Sequence, residues 1–90
     1  MTAETRRDVL VGLFRELYRV APSGRSSLGL HRLLSAQITC ETGDVDQMLN
    51  LGRDRGWFGV LPQDDFSPSL EPYWIITADG KREAAIRRIV

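Results

Sequence analysis

Tyr73-Trp74-Ile75-Ile76-Thr77-Ala78-Asp79-Gly80-Lys81-Arg82-Glu83-Ala84 passes from a short apolar, aromatic run to a charged segment across one threonine. Branched and aromatic side chains pack well on a pleated surface, so Tyr73 to Ile76 reads as a strand. Thr77 can cap a helix by accepting a hydrogen bond from a backbone N–H two or three residues on. The following helix is expected over Lys81 to Ile89, with Ala85, Ile86 and Ile89 facing inward.

Upstream of this run, Trp57-Phe58-Gly59-Val60-Leu61 reads as a second strand. Between the strands, Pro62 to Pro72 holds three prolines and three acids, with isolated Phe66 and Leu70, and reads as a loop. The two strands and this loop make a hairpin.

Three helices precede it. Leu10, Leu13, Phe14, Leu17 and Ala21 follow the spacing of one buried helical face, predicting a helix from about Glu4 to Val20 capped by Thr2 or Thr5. Pro22-Ser23-Gly24 ends it, because proline cannot continue a helix. A second helix starts after Ser26 or Ser27 and runs to about Gln37, with Leu30, Leu33, Leu34 and Ile38 as its apolar face. A third runs from about Asp44 to Arg55 with Val45, Met48, Leu49 and Gly52 inward. Asp44 and Gln47 have the spacing of a capping box, and Gly56 is the expected stop. Gly52 lowers helix propensity, so close packing is its expected use.

The order helix, helix, helix, strand, strand, helix, with Thr77-Ala78-Asp79-Gly80-Lys81 closing the second strand, resembles the winged helix-turn-helix domains of bacterial transcription regulators. The resemblance covers roughly residues 5–90 and implies one α+β, mostly helical domain over 1–90: a three-helix core, a two-stranded β-hairpin wing and a C-terminal helix. A tetrahelical or other small α+β domain is the alternative. The resemblance further implies a small, homodimeric DNA-binding regulator whose third helix enters the major groove of double-stranded DNA. On that reading Gln47, Asn50 and Arg53 face bases, since Gln and Asn can pair with an adenine edge and Arg with guanine or phosphate. Arg25 and Arg32 would hold phosphates.

Charge argues the other way. The net charge is zero, whereas nucleic-acid modules are usually basic. Residues 57–72 carry three acids and no base, so a wing there repels a phosphate backbone. The third helix opens with Asp44 and Asp46. The alternative is a winged-helix protein-interaction module that does not bind DNA. It would use the acidic segment 61–72 with Asp64, Asp65, Phe66 and nearby Trp74.

Other chemistry is thinly represented. His31 and Cys40 are each the only residue of their type and lie nine apart, without a third ligand at metal spacing. No enzyme activity and no cofactor are expected. A lone cysteine excludes an internal disulfide and suits a reducing compartment. Met1 to Arg7 is polar, and no stretch approaches the roughly 18 apolar residues of a membrane span, so a cytoplasmic protein without a membrane partner is expected.

Overall fold

Residues 1–61 and 72–90 are described by a computed structural model. The elements in chain order are α1 (Ala3–Val20), β1 (Arg25–Ser26), α2 (Ser27–Ser35), α3 (Thr42–Asp54), β2 (Phe58–Val60), β3 (Tyr73–Ile76) and α4 (Ala78–Ile86). The fold is α+β: four helices and a three-stranded antiparallel sheet of order β1-β3-β2 among the described residues.

Hydroxyl caps set three of the helix starts. Thr2 accepts from the Thr5 N–H at α1, Ser26 from Gly29 at α2 and Thr77 from Gly80 at α4. At α3 the pairing lies one turn earlier than expected. The Asp44 carboxylate accepts from the Glu41 N–H at 3.0 Å, so the box closes on Glu41 and Asp44 rather than on Asp44 and Gln47.

The core lies where α1 meets α3, the sheet and α4. Val9, Leu13, Phe14, Leu17, Leu30, Val45 and Leu49 are fully buried, and Phe58 nearly so. Each such side chain contributes about 1.5–3 kcal/mol by leaving water. Phe14 anchors the aromatic part, with Trp57 at 5.4 Å and Phe58 at 5.1 Å, both tilted. Gly52 faces Phe58 so closely that an added Cβ would overlap the ring, which is the packing expected of it.

Three expectations need correction. The sheet has a third strand, β1, whose Arg25 and Ser26 pair with Trp74 and Tyr73. Gly24 makes this approach possible, because a Cβ there would sit 2.7 Å from the Trp74 carbonyl oxygen. The second correction concerns Leu33, which the helical spacing puts on the buried face of α2 but which is 45% exposed.

The third concerns α4, which begins three residues earlier than expected, immediately after its Thr77 cap. That shift turns Gly80 and Ala84 inward and leaves Ala85 exposed and Ile86 68% exposed. The helix ends before Ile89, with Arg88 at φ 58° and bonds from Arg88 N to Ala85 O and from Ile89 N to Ala84 O. This is the C-terminal motif in which a left-handed residue closes the last carbonyls. Ile89 then folds back against the core.

Candidate nucleic-acid interface

Helix α3 separates two surfaces by period alone. Val45, Met48, Leu49 and Gly52 are buried against α1, α2 and the start of β2. Asp46, Gln47, Asn50, Arg53 and Asp54 are all exposed. Gln47, Asn50 and Arg53 recur every three residues, so they form one ridge along the open side.

The three are not equally available. Asn50 Nδ2 donates to the Asp46 carbonyl at 2.9 Å, which ties the amide nitrogen to its own helix. Arg53 lies over the Trp74 ring, 5.8 Å from its centroid, which holds the guanidinium above β3. A cation at this distance over an aromatic face is attracted by the ring's quadrupole. Two carboxylates, Asp46 and Asp54, share the face and give it no excess of positive charge.

The proposed phosphate-holding residues stand apart from this ridge in the sequence of elements. Arg25 is on the edge strand β1, where its Nε meets Glu16 Oε1 at 3.4 Å. Glu16 also accepts from Arg19 Nε at 3.1 Å and Nη2 at 2.6 Å. The Arg19 hydrogen bond holds the Glu16 carboxyl below its ordinary pKa; partial burial opposes this, and Arg25 adds to the lowering. Arg32 is exposed on α2.

Trp74, a candidate contact residue on the alternative reading, is 7% exposed and belongs to the core. Asp64, Asp65 and Phe66 lie outside the described residues. Among the described residues of β2 and β3, the exposed aromatic is Tyr73. Trp57 is buried, with Arg55 and Arg87 over its ring at 5.6 Å and 4.9 Å. Arg55 is two residues away in sequence, whereas Arg87 reaches the indole from the other end of α4.

His31 Nε2 lies 3.0 Å from the Cys40 carbonyl oxygen and donates to it, closing the turn between α2 and α3. Burial raises the Cys40 thiol pKa, and the Asp44 charge raises it further, so the thiol stays protonated near neutral pH. Among the described residues no group of three or more His, Cys, Asp and Glu is placed to hold a metal ion. No described helix is long and apolar enough to cross a membrane.

The class defined by these observations is a small α+β domain with a polar ridge on its third helix. Comparison with protein-family models, with curated proteins and with solved structures gives no match.

Proposed function

We propose that the chain is a winged-helix DNA-binding protein, a small transcription regulator that reads double-stranded DNA with α3. The observation that carries this reading is the division of α3 itself. One side is wholly committed to the core, and the other presents Gln47, Asn50 and Arg53 uncovered on one ridge. Behind it α2 packs on α3, and the antiparallel pair β2–β3 stands beside α3 as a wing hairpin would. Gln47 and Asn50 offer side-chain amides to base edges, Asn50 through its oxygen and its remaining N–H. Arg53 offers a held guanidinium to guanine or phosphate.

Selection from a pool of random duplexes, followed by titration of the selected site, tests the assignment. Gln47→Ala and Asn50→Ala should each lower discrimination at one base pair by about 1–3 kcal/mol. Arg53→Ala should weaken binding as well. Retention of full discrimination by both amide variants contradicts the proposed ridge.

A second reading, a winged-helix module for protein contact, is favoured by one feature. Asp46 and Asp54 flank the same ridge, and carboxylates repel phosphate. On that reading a partner would meet the acidic segment 61–72, and charge reversal at Asp64 and Asp65 would abolish its capture.

A further inference from the structure

Between α1 and α2 runs an open groove of about 580 Å³. Its floor is apolar: Val11 and Gly12 from α1, Leu33, Leu34 and Ile38 from α2. Leu33 stands in it 45% exposed although the helical pattern assigns it to a buried stripe. None of Gln47, Asn50 and Arg53 lines this groove.

The charged residues that line it are Arg7, Asp8, Arg15 and Glu16. On the side of α1 that Val11 and Gly12 share the charges are sorted along the helix, Glu4 and Arg19 standing beyond the lining. Glu4 and Asp8 precede Val11 and Gly12, and Arg15 and Arg19 follow them, at spacings that keep all six on one side of the helix. Glu4, Asp8, Arg15 and Arg19 are exposed. Within one chain this order is unfavourable. Glu4 with Asp8, and Arg15 with Arg19, are like charges four residues apart, an arrangement that destabilises a helix. The helix dipole favours acids in the first turn and bases in the last, but its effect fades within those turns. Asp8 and Arg15 lie outside those two turns, so the dipole does not account for their place on this face. Arg19 is partly compensated by Glu16 in its own chain.

A second copy of α1 laid antiparallel, centred between Val11 and Gly12, removes the conflict. Glu4 then comes level with Arg19 of the other copy and Asp8 with Arg15, and the two-fold relation repeats both pairs. A parallel copy would set like against like. We propose that the α1–α2 groove is the interface of an antiparallel homodimer of this chain, with Val11 and Leu33 at its centre, the Asp8–Arg15 pairs at its rim and the Glu4–Arg19 pairs beyond it. The inference does not depend on the DNA reading, and it is tested without DNA.

Sedimentation equilibrium of the whole chain across a concentration series is the test. The wild type should show a reversible monomer–dimer equilibrium that weakens with salt. Asp8→Arg alone and Arg15→Asp alone should each raise the dimer dissociation constant by roughly ten-fold or more, about 1.4 kcal/mol. The double exchange Asp8→Arg with Arg15→Asp should restore it to within about three-fold of the wild type, because opposite charges face each other again. Both positions are exposed, so circular dichroism should show the fold unchanged in all three variants. A wild type that stays monomeric to the order of 100 μM overturns the proposal and leaves the groove to a different occupant. A dimer indifferent to the single exchanges also overturns it and puts the interface elsewhere, with the exposed Ile86 of α4 as the next surface to test.

Discussion

At Gly52 and Gly80 elements of the core touch without a side chain between them. A Cβ at Gly52 would overlap the Phe58 ring, and one at Gly80 would overlap the Trp57 carbonyl. A ring can tilt, but a backbone carbonyl already bonded to Thr77 N at 2.9 Å cannot move without breaking that bond. Gly52→Ala should therefore cost about 1–3 kcal/mol, the usual range for overpacking, and Gly80→Ala more than Gly52→Ala. Urea unfolding of the two variants checks the order; equal midpoints would show that the Thr77–Trp57 junction yields as easily as the ring.

Glu16 makes a different prediction at the same scale. Its folded-state pKa lies below the ordinary carboxylate value, first because of the Arg19 hydrogen bond and against some desolvation. A carboxylate with a lowered folded pKa adds stability above its unfolded pKa and loses it as pH falls through the folded value. Glu16→Gln should thus be less stable than wild type at neutral pH and should converge with it in strong acid. Urea midpoints measured across that range check the sign, and a constant gap would exclude this carboxyl as the cause.

At the scale of elements, Thr77 joins three pieces of backbone. Its hydroxyl accepts from Gly80 N at 3.0 Å and donates toward the Gly56 carbonyl at 2.5 Å, with the Trp57 carbonyl at 3.0 Å. It starts α4 and ties it to the end of α3 and the start of β2. Thr77→Val keeps the shape and removes the hydroxyl; it should cost about 1–2 kcal/mol in thermal or urea unfolding. A loss near zero would mean that water replaces all three contacts.

The elements differ in how well the chain announces them. The inward face of α3 was legible as Val45, Met48, Leu49 and Gly52 because a thirteen-residue helix carries several turns of period. The cap role of Thr77 was legible from local chemistry. The two residues of β1 carry no alternation at all, and their pairing depends on Gly24 admitting the Trp74 carbonyl from far along the chain. The sequence makes α4 look as though it begins later than it does, because Gly80 reads as punctuation, whereas its use is to let the helix touch Trp57. Of the site, the ridge residues were legible as outward positions of α3. The hold of Trp74 on Arg53 and of Glu16 on Arg25 was not, since both partners come from distant elements. The sorted charges of α1 were in the sequence, but their meaning needed the groove that α2 builds beside them.

For the whole molecule, a net charge of zero limits what attraction to DNA can come from a general field. The proposed binding therefore has to come from local contacts on α3, with few phosphates engaged, and from doubling of the ridge in a dimer. Two copies related by a two-fold would present two α3 helices to two half-sites of a palindromic duplex. The most direct test of the central claim is the anisotropy of a labelled duplex carrying the selected site, titrated with protein at low salt and again at higher salt. The account predicts saturable binding whose logarithm falls linearly with the logarithm of salt, by about 0.9 per phosphate contact, with a shallower slope for Arg53→Ala if that guanidinium meets a phosphate. Absence of binding at low salt would contradict it, as would binding that Gln47→Ala, Asn50→Ala and Arg53→Ala all leave unchanged.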